Sequence, residues 1–219
     1  MVEWVTVERA RIGAHDFVLA RRGDEWVVRV DGRTLMSSRT HQSEIELAAR
    51  AIARAASPRR VLIGGLGLGF TLRAALDRLP ASARVVVAEL VPELVAWNRG
   101  HLAAVHAGAL DDPRVEVVTG DVLDVLASAR AAFDVVVLDV DNGPEALSQA
   151  ENRRLYTDRG VRACRDALAA GGVLGVWSAG PSDAYAARLA KAGFATEVVR
   201  VPVHPGSRAR HVLFLGTKR

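Results

Sequence analysis

Apolar positions along the chain fall into three regimes. Up to about residue 35 they sit in short runs broken by glycine turns: Phe17-Val18-Leu19, Arg22-Gly23-Asp24, Trp26-Val27-Val28-Arg29-Val30 and Asp31-Gly32. Such runs predict short antiparallel strands. From Ser38 to Ala56 the pattern changes, and Ile45, Leu47, Ala48, Ala51 and Ile52 recur at helical spacing. From Arg60 onward, strand-like runs alternate with amphipathic stretches. Strands are predicted at 60–64, 84–89, 114–118, 133–139 and 172–178, and helices near 69–79, 92–103, 121–130, 151–169 and 182–192. Val135-Val136-Val137-Leu138 shows no polar alternation, as a strand covered on both faces requires. The tail departs again: Thr196–Val203 and His211–Gly216 flank Pro205-Gly206, which predicts an antiparallel hairpin.

The expected fold is therefore α/β, a doubly wound, mostly parallel seven-stranded sheet with a small N-terminal β-hairpin region. Residues 1–56 are expected to form that region and a linking helix, and residues 57–219 a nucleoside-binding Rossmann-like domain.

Composition narrows the function classes. Half of the 219 residues are apolar and a quarter are charged, ordinary for a globular domain. The net charge of +4 comes almost entirely from arginine, because Lys191 and Lys218 are the only lysines. The arginines are scattered and aromatics are few, so no nucleic-acid partner is expected. No apolar run reaches bilayer length, and Met1–Arg11 mixes Glu3, Glu8 and Arg9 with apolar residues, unlike a signal peptide. No membrane partner and a cytoplasmic location are expected. The single cysteine, Cys164, excludes an internal disulfide, and the histidines lack metal-ligand spacing, so no metal is expected. The exposed strands of the N-terminal hairpin predict pairing with a second copy, a homodimer.

Chemistry concentrates where strands end. Val61-Leu62-Ile63 runs into Gly64-Gly65-Leu66-Gly67-Leu68-Gly69, a helix comes next, and the second strand closes on Glu89. Glycines there let backbone approach a ligand, and a carboxylate at that position accepts from ribose hydroxyls. Two ligand classes compete. A dinucleotide site prefers G-x-G-x-x-G, whereas here the last two glycines are closer and Phe70 stands where the third would fall. An adenosyl-sulfonium cofactor has no phosphate and tolerates this spacing. Gly120-Asp121-Val122 supports the second class: the Asp121 carboxylate can accept from an adenine amine while the Val122 region offers a backbone N–H. Helix capping by Asp121 is an equally good reading. The fourth strand ends Asp139-Val140-Asp141-Asn142, at the carboxyl edge where such sheets bind ligands. Asp139 and Asp141 are the candidate catalytic acids. Gly64, Gly65, Gly67, Glu89, Asp121, Val122 and Gln42 are the candidate cofactor residues. His41, Asn142, Tyr156 and Trp177 are candidates for the acceptor.

The order of these elements, with Thr71-Leu72-Arg73, Gly120-Asp121, Phe133–Asp139, Leu155-Tyr156 and Gly171-Gly172-Val173-Leu174, resembles the spermidine synthase group. That group is a branch of the class I S-adenosylmethionine-dependent methyltransferase fold. The resemblance implies a transferase using S-adenosylmethionine or its decarboxylated form, acting on a small molecule such as an amine. The chain departs from the group in three places. Its glycine loop lacks the aspartate of G-G-G-D-G, its fourth strand ends D-V-D-N instead of D-x-x-D, and Ser37-Ser38-Arg39-Thr40 replaces an acidic segment. These losses fall on the polyamine half of the pattern. Methyl transfer is accordingly the first expectation and aminopropyl transfer the alternative. An NAD-dependent oxidoreductase and a silent nucleoside-binding domain are the further alternatives.

Overall fold

The computed structural model describes residues 2–140, 152–204 and 206–219. Four strands open the chain: β1 (Val5–Ile12), β2 (His15–Arg22), β3 (Glu25–Val30) and β4 (Arg33–Ser37). They form one antiparallel sheet in sequential order. This is larger than the expected hairpin. β1 is mostly exposed on both faces, so its sequence carries no burial alternation to announce it.

The linking helix α1 (Gln42–Arg54) buries Leu47, Ala48, Ala51 and Ile52. Its exposed side is braced by Arg50, whose Nε donates to Glu46 at 2.8 Å. The main domain then runs β5 (Arg60–Gly64), α2 (Phe70–Leu76), β6 (Arg84–Glu89), α3 (Pro92–Arg99), β7 (Val115–Thr119), α4 (Val122–Ser128) and β8 (Phe133–Leu138). It closes with α5 (Asp158–Ala167), β9 (Leu168–Ser178), α6 (Asp183–Lys191), β10 (Phe194–Pro202) and β11 (Arg210–Lys218). The second sheet is seven-stranded in the order β10-β11-β9-β8-β5-β6-β7. Strands β7, β6, β5, β8 and β9 are parallel, while β11 pairs antiparallel with both β9 and β10. The fold expectation holds, hairpin tail included.

One helix differs from expectation. The stretch predicted as a helix over 151–169 is a 3-10 turn at Asn152–Tyr156 and then α5. Thr157 interrupts it as an N-cap, its Oγ1 accepting from the Gly160 N–H at 3.2 Å. Gly160 fits because a Cβ there would lie 2.3 Å from the Arg154 and Leu155 carbonyl oxygens.

Two packing contacts tie the helix and the appendage to the parallel sheet. Gly175 of β9 lies under α1, where a Cβ would come within 3.2 Å of both Leu47 and Ala51. That close approach seats the middle of α1 over the sheet. The antiparallel appendage is not a separate lobe either: Phe17, Leu19 and Val28 share one buried cluster with Leu68, Leu94, Trp97 and Leu102 of the main domain. Among the described residues, no helix is long and apolar enough to cross a membrane.

Candidate active site

A cleft of about 330 Å³ opens at the carboxyl edge of the central parallel strands. Its floor is the glycine loop after β5, Glu89 closing β6, Gly120–Val122 before α4, and Asp139-Val140 after β8. Phe17, Leu35 and Met36 of the appendage form one wall, and Thr40 and Glu44 bring in the start of α1. Trp177, Val203 and His211 also line it.

The floor holds itself in place through the backbone. The Asp139 N–H donates to the Gly64 carbonyl at 2.8 Å, and the Gly65 N–H to the Ala88 carbonyl at 2.9 Å. Gly65 has φ +89°, and a Cβ there would sit 2.2 Å from the Asp139 carbonyl oxygen. Only glycine meets both demands. Glu89 is buried and accepts the Leu66 N–H at Oε2 (2.8 Å) and the Val91 N–H at Oε1 (2.9 Å). It pins the glycine loop to β6, a task its strand-end position alone does not reveal. Burial raises its pKa, and these N–H bonds work against that rise. Asp121 caps α4, with Oδ1 accepting the Leu123 N–H at 2.8 Å, and its Oδ2 pairs with Arg154 at 2.6 Å. Capping and cleft lining thus coincide in one side chain.

The opposite side of the floor is acidic and enclosed. The Thr71 hydroxyl donates to Asp139 Oδ2 at 2.5 Å. Burial nonetheless pushes the Asp139 carboxyl up to about 6, the Thr71 bond opposing the rise. Glu44 goes further, to about 9, first through burial and then through the neighbouring Asp139 charge. Its Oε2 is enclosed with no hydrogen-bond partner among the described residues. Beside it, Trp177 Nε1 donates to Ser43 Oγ at 3.0 Å, and Ser43 Oγ lies 2.8 Å from His211 Nδ1. Ser43 Oγ thus accepts from Trp177 and bridges it to the His211 ring. Burial lowers the His211 pKa and favours the neutral ring.

The raised Glu44 carboxyl carries a stability consequence. The folded protein keeps a proton that the unfolded chain, with an ordinary value of 4.5, has lost. Stability should therefore fall as pH rises from 4.5 towards about 9. Glu44→Gln removes that liability and should stabilise the free protein by about 1–3 kcal/mol at pH 8, with much less gain at pH 5. Urea midpoints at the two pH values check this, and an equal gain at both would show that Glu44 holds no extra proton.

The cleft gathers Gly65, Gly67, Glu89, Asp121, Val122, Asp139 and Trp177 from the residues singled out in the sequence. Four others are elsewhere. Gly64 is the last residue of β5 and packs on Val122, where a Cβ would fall 2.9 Å from Val122 Cγ2. His41 precedes α1, stacks on Phe70 with ring centroids 4.1 Å apart, and its Nδ1 bonds the Ser38 carbonyl at 2.7 Å. Gln42 is exposed at the first position of α1 and is not among the cleft-lining residues. Tyr156 is buried behind the floor, and its hydroxyl donates to the Val140 carbonyl at 3.0 Å, steadying the residue beside Asp139. Asp141 and Asn142 lie outside the described residues. Sequence reasoning does not reach Glu44, Ser43 or His211, and it meets Thr71 only as part of the family pattern. For Glu44 a signal exists: it stands on the stripe of Leu47, Ala48 and Ala51, an acid on an apolar face. No group of three His, Cys, Asp or Glu side chains among the described residues is arranged to hold a metal.

Comparison with known proteins gives concordant results. Residues 43–181, more than half of the chain, match the spermine/spermidine synthase domain model. A polyamine aminopropyltransferase of Aeropyrum pernix is 35% identical over 187 residues, covering 78% of this chain and 58% of that protein. The Nitrosomonas europaea polyamine aminopropyltransferase is 42% identical over 119 residues, 53% of this chain and 34% of the relative. The chain thus spans between about a third and three fifths of the length of these relatives. The crystal structure of spermidine synthase from Thermotoga maritima superposes with a TM-score of 0.79 at 22% identity, covering 98% of this chain and 72% of that one. A spermidine synthase structure in complex with the transition state analogue AdoDATO gives the same values.

Proposed function

The chain belongs to the spermine/spermidine synthase family, and on that footing we propose that it transfers an aminopropyl group from decarboxylated S-adenosylmethionine to a small amine. The observation that carries this reading is the charge of the cleft. Glu44, Glu89, Asp121 and Asp139 line it, no lysine or arginine does so among the described residues, and only Asp121 has a cationic partner there, Arg154. Buried carboxylates without a protein counter-ion, here Glu44, Glu89 and Asp139, favour cationic ligands, because a ligand ammonium or sulfonium offsets their desolvation. An acceptor amine and a decarboxylated donor both fit that demand. Ordinary S-adenosylmethionine brings a further carboxylate, which this lining offers no cation to receive. The comparisons favour the same alternative over methyl transfer.

The cleft suits the nucleoside part of such a donor. Gly65 and Gly67 leave room for close backbone approach, and Glu89 and Asp121 are acceptors beside them. When bound, the donor supplies an electrophilic carbon next to its sulfonium sulfur. Asp139 orients the acceptor nitrogen, its backbone fixed to Gly64 and its carboxylate to Thr71. The apolar walls of Phe17, Leu35 and Met36 keep water from the cationic centre.

Product analysis tests the reading. Incubation with decarboxylated S-adenosylmethionine and a panel of amines should release methylthioadenosine and an aminopropylated amine. Release of S-adenosylhomocysteine from S-adenosylmethionine instead would restore methyl transfer. Calorimetry without heat for either donor or for methylthioadenosine would leave a silent domain. In the same calorimetric assay, Glu89→Ala should weaken methylthioadenosine by roughly 1–3 kcal/mol, since unpaired hydroxyls and a loosened glycine loop both cost affinity. Unchanged affinity would remove Glu89 from the site.

A further inference from the structure

We propose that Glu44 is a catalytic residue of the same cleft: paired with Asp139, it receives the proton that the acceptor ammonium must lose before it can attack. This inference rests on the aminopropyl-transfer reading and adds to it a residue that neither the glycine loop nor the strand-end acids point to.

The first observation is position. Glu44 comes from α1, outside the parallel sheet that carries the other acids, yet it lines the cleft together with Asp139. Its helix is held there by the close contact of Leu47 and Ala51 with Gly175. The second is an unmet need. Glu44 Oε2 is enclosed and has no hydrogen-bond partner among the described residues, although buried carboxylate oxygens are normally satisfied. A fixed acid set beside another acid with no cation on either is a poor structural element and a good receptor for an ammonium.

The groups that face Glu44 set its behaviour. Asp139 is the charge acting on it. His211, from β11, lines the same cleft, and burial favours its neutral form while Ser43 occupies its Nδ1. Glu89 and Asp121 line the cleft as well, and each is engaged by backbone N–H groups. His41, just ahead of α1, bonds the Ser38 carbonyl. The nearest proton acceptors for an arriving ammonium are then the two carboxylates. Two coupled acids in a shared site lose their protons in separate steps, so the pair keeps one proton over a wide pH range and has room for another. Burial raises both groups above ordinary carboxylates, which brings their basicity closer to what proton removal from an ammonium needs.

Atoms and electrons balance in such a step. The acceptor enters as R–NH3+, and one proton passes to the Glu44–Asp139 pair, leaving R–NH2. The nitrogen lone pair forms a bond to the carbon beside the sulfonium sulfur. The carbon–sulfur bond breaks with its electron pair going to sulfur, which yields neutral methylthioadenosine. The product nitrogen is a secondary ammonium that retains two protons, and the pair returns its extra proton to solvent.

Steady-state kinetics of Glu44→Gln and Glu44→Asp over pH 6–10 test the proposal, alongside calorimetry with methylthioadenosine. For Glu44→Gln the expected result is a kcat lower by roughly 10²-fold, a higher KM for the amine, and a displaced acidic limb of the pH profile, with methylthioadenosine affinity within about twofold of wild type. Glu44→Asp should recover part of kcat. An activity-independent readout is infrared difference titration of the free protein: a protonated-carboxyl band persisting above neutral pH should vanish in Glu44→Gln and titrate lower in Asp139→Asn. Wild-type kcat, amine KM and pH limb in Glu44→Gln would overturn the proposal while leaving aminopropyl transfer intact. A wild-type protein that releases no methylthioadenosine with any amine would overturn the functional reading, and this proposal with it.

Discussion

Asp139→Asn is expected to slow aminopropyl transfer by roughly 10³-fold while changing methylthioadenosine affinity by no more than about twofold. The reason is the narrowness of the change. Asparagine keeps the side-chain shape, the backbone bond from residue 139 to the Gly64 carbonyl remains, and Thr71 can still donate to the amide oxygen. Only the charge and the proton-accepting capacity are lost. Glu44 stays buried but would lose the neighbouring charge that adds to burial in raising its pKa, so its proton should leave at lower pH in this variant. Single-turnover rates with saturating donor separate chemistry from binding. A variant that retains the wild-type rate would place the proton acceptor elsewhere.

Gly65→Ala should be the most damaging small substitution in the molecule. Two independent penalties meet at this residue: a left-handed φ of +89° and a Cβ position 2.2 Å from the Asp139 carbonyl oxygen. Backbone, not a flexible side-chain end, stands in the way, so the loop after β5 and the end of β8 must separate. About 2–4 kcal/mol of destabilisation is expected, with nucleoside affinity falling at least about tenfold because floor and acid move together. Gly180→Ala is the matched control, since nothing lies within 4 Å of a Cβ there, and it should fall within about 0.5 kcal/mol of wild type. Equal stability of the two variants in urea would show that the loop relaxes freely.

The sheet is readable from sequence because its strands are covered on both faces. Val135 to Leu138 announce β8 by being continuously apolar, and the strand indeed lies between β5 and β9. Strand ends then mark Glu89, Asp121 and Asp139, since in a parallel sheet those ends share one edge. Whatever lies beyond reach comes from tertiary contact. Glu44 acquires its meaning from the docking of α1 over Gly175, a meeting of residues more than a hundred positions apart. His211 and Ser43 are joined across 168 positions in the same way. His41 is set by tertiary contact too, since its ring meets Phe70 and the Ser38 carbonyl and is not in the cleft lining. Tyr156 reaches the floor indirectly, through the Val140 carbonyl.

The cluster in which Phe17, Leu19 and Val28 interlock with Leu68, Leu94, Trp97 and Leu102 has a thermodynamic corollary. An appendage whose apolar face is completed by its neighbour has no self-sufficient interior, so it gains nothing by denaturing early or surviving late. Scanning calorimetry should accordingly show one endotherm for the whole chain. The reaction chamber would then be lost in a single event, with no intermediate in which the Rossmann-like half stands with an open flank.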